Sequence, residues 1–261
     1  MKTVLSIAGS DSCGGAGIQA DIKTITAHGL YAETAVTAVT AQNTVGVQGI
    51  VEMDPEFVAR QIRSCFEDIR PDAVKIGMVG TAAAVKAIAE ELQRYDAKNI
   101  VVDPVLQATT GASLADDDVA QSLMEYLVPI ASIVTPNIPE AALLTGRKVS
   151  TPDEMEEAAS VIKAETKGAV LIKGGHASGG ADDLLLTEHL RVVWLRHKRI
   201  NTQSTHGTGC TMSASIACGL ARDYDTQAAV SKAKAYVTGA LENAPGLGSG
   251  VGPLNHMWDL Q

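Results

Sequence analysis

The stretch Thr205-His206-Gly207-Thr208-Gly209-Cys210-Thr211 carries the residue types best placed to do chemistry. It ends a polar run that starts at Asn201 and leads into residues 212–219, a segment of Ser, Ala, Ile and Leu that reads as a helix. Gly207 and Gly209, on either side of Thr208, let the backbone turn tightly and bring its N–H groups close to a ligand. The helix adds unpaired N–H groups and the positive end of its dipole, so an anion is favoured there. Cys210 falls at that same end, where a thiol pKa is expected below its free value. An anion cradle beside an activated side chain suits phosphoryl transfer. The same stretch also fits a glycine-rich loop capping a buried helix, with Cys210 as a small core residue.

Further polar or unusual residues fall where strands are predicted to end: Gly9 to Asp11, Gln42, Met78, Asp103, Asn137 with Glu140, and Lys173. Singly, each has a structural explanation. Asp103 before Pro104 caps a turn. Asn137 and Glu140 open a helix, with Glu at its positive end. Lys173 is a solvated charge and Gln42 a loop amide. Jointly they supply what ATP-dependent transfer needs: carboxylates for magnesium, a lysine for phosphate, an anion hole and a polar anchor for the acceptor. No Walker-A pattern and no protein-kinase signature set occurs, so such a kinase belongs to another class.

Periodicity gives the elements that must position these residues. Residues 3–8 are a short apolar strand, 9–17 (GSDSCGGAG) a loop, and 18–28 a helix that Gly29 ends. This order invites a dinucleotide reading, but G-x-G-x-x-G is absent. Residues 31–39 read as a strand running into Thr40-Ala41-Gln42-Asn43-Thr44, and 45–53 as another. Asp54-Pro55 then starts a helix, with Asp as N-cap and Pro at its first position. Val58, Ile62, Cys65 and Ile69 recur along it at helical spacing, which puts Cys65 in the core. From residue 73 a βα rhythm sets in. Strands at 73–78, 100–102, 130–135 and 169–173 alternate with helices at 81–94, at 116–127, and from the capping box Thr151-Pro152-Asp153-Glu154 to about 165. Residues 183–187 and 191–195 read as an antiparallel pair at one sheet edge, and helices at 209–222 and 226–242 close the chain before a glycine-rich loop at 246–253. Strands alternating with amphipathic helices imply an α/β fold with a parallel sheet covered on both faces. No linker, low-complexity tract or repeat divides residues 1–261, so one domain is expected. In such sheets a ligand lies beyond the carboxyl ends of the strands, where the polar residues above fall.

Composition narrows the class. The net charge of −9 argues against a nucleic-acid partner, which needs a basic face, but not against a nucleotide, which needs only a local cradle. With so few aromatic residues the core must be built from Ala, Val, Ile and Leu. No run of about 18 apolar residues occurs, and residues 1–8 run straight into a strand pattern. Neither a membrane span nor a signal peptide is expected. Cys13, Cys65, Cys210 and Cys218 form no C-x-x-C pair, so neither a zinc site nor a disulfide framework is indicated, and a cytoplasmic protein with reduced thiols is expected.

The run from Ser6-Ile7-Ala8-Gly9-Ser10-Asp11 through Gly14-Gly15-Ala16-Gly17 to Asp21, followed by Thr40-Ala41-Gln42-Asn43-Thr44, resembles the hydroxymethylpyrimidine/phosphomethylpyrimidine kinases of thiamine biosynthesis. Lys75-Ile76-Gly77-Met78, Val102-Asp103-Pro104-Val105, Thr135-Pro136-Asn137-Ile138-Pro139-Glu140, Lys173-Gly174-Gly175-His176 and Thr205 to Thr211 extend the resemblance, in order, across nearly the whole chain. It implies a three-layer ribokinase-like fold, a central mostly parallel sheet between two helix layers, usually in homodimers. It also implies ATP and Mg2+ in the phosphorylation of 4-amino-5-hydroxymethyl-2-methylpyrimidine to its monophosphate and then its diphosphate. On this resemblance the pyrimidine lies against backbone at Ala16 and beside Met78 and Val105. Gln42 bonds its ring nitrogen and amino edge, and Asp21 a polar group of the same ligand. Asp103 and Glu140 act on magnesium, Asn137 and Lys173 lie near the nucleotide phosphates, and Gly207, Thr208, Gly209 and Cys210 form the anion hole. Most of the wider superfamily carries Asp as base at the position of Cys210, whereas the branch resembled here uses Cys. One departure is the stretch Leu106-Gln107-Ala108-Thr109-Thr110-Gly111, where the family usually has Met and then small residues, often Lys-Ser-Gly or Thr-Ser-Gly. Nothing catalytic is assigned to it.

Related enzymes that phosphorylate pyridoxal share the opening and the anion hole, so pyridoxal is the alternative acceptor. Gln42 favours the pyrimidine, because its amide offers donor and acceptor together and matches an aminopyrimidine edge. A dehydrogenase would need the missing glycine pattern and an acidic residue about 20 residues further on. A non-catalytic pyrimidine-binding regulator could dispense with the anion hole or the carboxylates, and all of these are present.

Overall fold

The computed structural model describes residues 1–106, 118–176 and 181–260. Its strands are β1 (Thr3–Asp11), β2 (Tyr31–Asn43), β3 (Gly46–Glu52), β4 (Ala73–Ile76), β5 (Ile100–Val102), β6 (Ile133–Val134), β7 (Ala169–Ile172), β8 (Asp183–Leu186) and β9 (Val192–Leu195). They form one sheet in the order β3-β2-β1-β4-β5-β6-β7-β8-β9. The run from β2 to β7 is parallel throughout, while β3, β8 and β9 add antiparallel edges. After β1 the chain builds outward through β2 and β3, then crosses back to place β4 on the other side of β1. That reversal leaves a crevice at the strand ends, the usual ligand position in an open α/β sheet.

Successive strand residues point to opposite faces, and both faces are apolar. Leu5, Ile7, Ile100, Val102, Val170 and Ile172 pack under α2 (Pro55–Glu67), α3 (Ala82–Arg94), α4 (Val119–Ser122), α5 (Ile138–Thr145) and α6 (Pro152–Ala164). Val4, Val101, Ile133, Ala169 and Leu171 pack under α1 (Gly17–Ala27), α7 (Thr208–Ala221) and α8 (Thr226–Glu242). The caps expected from sequence form. Asp54 accepts the Phe57 N–H with Pro55 behind it, and Thr151 with Glu154 makes a reciprocal capping box.

Several boundaries differ from expectation. The loop expected from residue 9 begins only after Asp11, because the chain shifts register between Ala8 and Ser10 and then resumes pairing with β2 at Val39 and Thr40. β2 likewise continues to Asn43, held by antiparallel pairing with β3. The strand expected at 130–135 shrinks to β6, since Val128–Ile130 closes as a tight helical turn around Pro129. The helix expected at 116–127 has its first two residues outside the described ones, and its second half widens into a π turn at Leu123–Leu127. Cys65 is half-buried at the edge of the core, not inside it. Gln107 to Gly111, most of the stretch that departs from the family pattern, lies outside the described residues.

Candidate active site

The carboxyl ends of β1, β2, β4 and β5, together with the start of α7, open onto a cavity of about 670 Å3. Ala16, Gln42, Met78 and Val105 line one part of it. Asp103, Asn137, Glu140 and Lys173 line another, and Gly207, Thr208, Gly209 and Cys210 line the wall between. Every residue expected at the site from sequence therefore reaches this cavity except Asp21.

Gly207 is the N-cap of α7 and adopts a left-handed backbone, φ 83°. A Cβ there would lie 1.8 Å from the Gly15 carbonyl oxygen, so only glycine fits both the torsion and the space. No side chain caps α7 among the described residues; the Thr208 N–H is bonded to the Thr205 carbonyl, and the Gly209 and Cys210 N–H groups are the ones placed to meet a ligand. Gly207→Ala is expected to lower stability by at least about 1–3 kcal/mol from the backbone conformation alone, read as a fall in Tm, and to weaken both phosphorylation steps together. Gly209 is more forgiving than sequence suggests. Its Cβ would sit 3.2 Å from Lys173 Nζ and 3.6 Å from Asp103 Oδ2, crowding charged groups at the end of a flexible side chain, not backbone.

Lys173 organises the charged end. Its Nζ lies 2.6 Å from Asp103 Oδ1 and 3.9 Å from Glu140 Oε2. Thr135 and Ser213 donate hydroxyl hydrogen bonds to Asp103. Burial pushes the Asp103 carboxyl up, but the Lys173 and Lys75 charges and the hydrogen bonds from Lys173 and Ser213 outweigh it and hold the group below its usual range. Glu140 behaves oppositely: burial dominates, Lys173 opposes it, the Asp103 charge adds to it, and the pKa is pushed up to about 7. Asn137 and Glu140 also form a capping box at α5, the structural role either could have had alone. The helix cap thus holds the second carboxylate beside the lysine.

Cys210 and Asp21 depart from expectation. Burial raises the Cys210 thiol to about 11, despite the helix end, the nearby Lys75 ammonium and the Gly17 N–H, all of which favour the thiolate. Asp21 is fully buried on α1 and bound to Lys75 Nζ at 2.7 and 3.0 Å, with Ser6 Oγ donating to it at 2.5 Å. It sits beneath the cavity instead of facing a ligand. Sequence reasoning passed over Lys75, although a lysine inside the apolar strand Ala73-Val74-Lys75-Ile76 demands a buried partner.

Asp11 and His206 were also missed as a pair. His206 Nε2 lies 2.8 Å from Asp11 Oδ2, and its ring covers Gly15, where a Cβ would come within 2.3 Å of His206 Cδ2. With Cys13 they bring three ligand-type atoms within 4.8 Å of one another. Asp11 already accepts N–H groups from Cys13, Gly15 and Ala16, so the trio holds the loop after β1 and is no metal centre. Beyond the carboxylates, Lys234 binds Asp183 at 2.6 Å, and Asp183 in turn accepts the Gly174 N–H.

Comparison with known proteins identifies the family. A family model described as phosphomethylpyrimidine kinase matches residues 11–255. The Streptomyces coelicolor hydroxymethylpyrimidine/phosphomethylpyrimidine kinase is 46% identical over 257 residues, covering 98% of this chain and 95% of its own. Among solved structures, an ADP complex of Bacillus subtilis pyridoxal kinase matches with a TM-score of 0.91 at 34% identity, over 100% of both chains. A phosphomethylpyrimidine kinase from Clostridium difficile matches with a TM-score of 0.81 at 41% identity, over 91% of this chain and 98% of that one. With a mostly parallel sheet between two helix layers and its polar residues gathered at the strand ends, the chain belongs to the hydroxymethylpyrimidine/phosphomethylpyrimidine kinase family and has a ribokinase-like fold.

Proposed function

We propose that this chain, acting as one domain, transfers the γ-phosphoryl group of ATP to the hydroxymethyl group of the aminopyrimidine, and then a second phosphoryl group to the monophosphate. The observation that carries this reading is one cavity with an amide at one end and a lysine between two carboxylates at the other. Gln42 binds the aminopyrimidine edge, Ala16 backbone holds the ring, and Met78 and Val105 pack against it. Lys173 and Asn137 lie along the phosphates, and the turn from Gly207 to Cys210 receives the charge that develops on the transferred group. Asp103 and Glu140 suit a magnesium ion, which prefers one or two carboxylates plus phosphate oxygens and water. When bound, that ion would neutralise phosphate charge. Val237 and Leu241 also line the cavity and supply apolar surface that a nucleobase needs.

A homodimer fits the exposed Val39, Val45, Val51 and Phe57 around β2, β3 and the start of α2. No helix among the described residues is long and apolar enough to cross a membrane, and the four cysteines are unpaired. Pyridoxal is the second acceptor to consider, because a pyridoxal kinase shares this backbone closely.

The test is ADP release with the hydroxymethylpyrimidine, its monophosphate and pyridoxal, with and without magnesium. Release that depends on the metal and prefers the pyrimidines supports the proposal, and a preference for pyridoxal overturns it. Gln42→Met is expected to weaken the pyrimidine reaction on the order of tenfold or more, the effect of leaving a buried partner unsatisfied. It should spare pyridoxal turnover. Equal losses on both acceptors would return Gln42 to a structural role.

A further inference from the structure

The atom that Gln42 offers a ligand is fixed by groups behind it. Asp11 Oδ1 accepts the Cys13 N–H at 2.9 Å, and Oδ2 accepts those of Gly15 and Ala16 at 3.0 and 2.9 Å. Burial alone would raise this carboxyl, yet hydrogen bonds from His206, Cys13 and Ala16 hold it below its usual range. Asp11 is therefore an acceptor at neutral pH, and His206 Nε2, 2.8 Å from Oδ2, must carry the proton between them.

His206 Nε2 also lies 3.5 Å from one end of the Gln42 amide. The other end is 3.1 Å from Thr40 Oγ1, which is in turn 3.1 Å from the Ser10 carbonyl. A hydroxyl has one proton to give. With the amide nitrogen toward His206, two N–H donors face each other, and Thr40 must serve two acceptors with one hydrogen. With the amide oxygen toward His206, the Nε2–H, given mainly to Asp11 Oδ2, faces an acceptor instead of a second donor, Gln42 Nε2 donates to Thr40, and Thr40 gives its one hydrogen to Ser10. Since the two amide ends have nearly the same shape, the surrounding network decides between them.

We infer that His206, held by Asp11, fixes the Gln42 amide with its oxygen toward His206 and its nitrogen toward Thr40, and so acts as a specificity-determining positioning residue for the acceptor. This rests on the proposal that Gln42 reads the acceptor. One amide hydrogen and one oxygen lone pair remain for the ligand, in a fixed order along its edge. An aminopyrimidine presents a ring-nitrogen acceptor beside an amino donor and matches that order. Its deaminated oxo analogue presents an N–H donor beside a carbonyl acceptor. To bind it the amide would have to turn, setting N–H against the His206 N–H again.

The experiment compares kcat/KM for hydroxymethylpyrimidine, its oxo analogue and pyridoxal. The wild type is set beside His206→Phe, which keeps a ring over Gly15 but no proton, and His206→Gln, which restores a donor. The wild type is expected to prefer the amino over the oxo compound by at least about 100-fold, as sites built on buried hydrogen bonds do. His206→Phe should reduce that preference about tenfold, mainly through KM, and His206→Gln should recover part of it. In the Gln42→Met background, His206→Phe should leave the ratio unchanged, because no amide remains to orient. Nitrogen NMR of the wild-type ring should show the Nε2–H tautomer, a readout that needs no variant to fold. An undiminished ratio in His206→Phe, the same shift without Gln42, or the Nδ1–H tautomer overturns the inference while leaving the acceptor reading intact. A wild type that favours pyridoxal overturns both.

Discussion

Cys210→Ala is expected to slow transfer to the hydroxymethyl group by at least about 100-fold at mildly alkaline pH, the range general-base help supplies, and to slow the second step much less. The first acceptor is a neutral alcohol that must lose a proton as it attacks. The second is a phosphate monoester with a second pKa of about 6, mostly ionised at neutral pH already. Placed at the start of α7, Cys210 suggested a thiolate at neutral pH. Burial prevents this by holding the thiol near 11, the opposite of the effect expected from a helix end. The thiolate fraction therefore falls about tenfold for each pH unit below 11, partly offset because a base of higher pKa is intrinsically stronger. The wild-type first step should accelerate with pH across the neutral and mildly alkaline range, with the gap to Cys210→Ala widening. Cys210→Asp should restore part of the rate and flatten the profile, because its carboxylate is already ionised. The check is a pH series of kcat/KM for both steps in all three proteins. If Cys210→Ala slowed both steps equally at every pH, Cys210 would be shaping the anion hole instead. Asp21 could not then take over as base, since it is buried against Lys75 and does not line the cavity.

Features decided by neighbours in sequence were legible from the chain alone. The Asp54-Pro55 and Thr151-to-Glu154 helix starts, the α8 span and the antiparallel β8–β9 edge all follow from short-range patterns. The convergence of Gln42, Asp103, Glu140 and Lys173 followed from a rule about strand ends, which needs only the order of elements. Features decided by distant partners were not legible. The polar tail of β1 is a strand because β2 pairs with it across a register shift. Asp21 is consumed by a lysine 54 residues away. His206 was inside the quoted motif, but its role depends on Asp11, 195 residues earlier. The error over Cys210 has the same origin. A helix end is a local feature readable in sequence, whereas burial is set by the whole fold.

Lys173→Ala is expected to lower kcat/KM for both steps by about 100- to 1,000-fold, the usual effect of removing one preorganised charge partner from a reacting group. Unlike Cys210, Lys173 serves the phosphates, which both steps share. Its loss leaves Asp103, fully buried, and Glu140 without the cation between them. Glu140 depends on that cation to keep its pKa from rising beyond about 7. The same value sets a pH signature for the metal. Below pH 7 Glu140 holds a proton that a cation must displace, so magnesium binds more weakly as pH falls and more tightly as pH rises. Half-saturating magnesium should drop about tenfold between pH 6 and pH 8 in the wild type and change little in Glu140→Gln. Asp103→Asn should raise the magnesium requirement throughout and move the pH dependence to lower pH, because the Asp103 charge, present across that interval, helps to hold the Glu140 carboxyl up. Magnesium titrations of ADP release at several pH values separate these cases. If metal dependence were unchanged in both carboxylate variants, Glu140 would be the α5 cap and Asp103 the buried partner of Lys173, and neither would hold the ion.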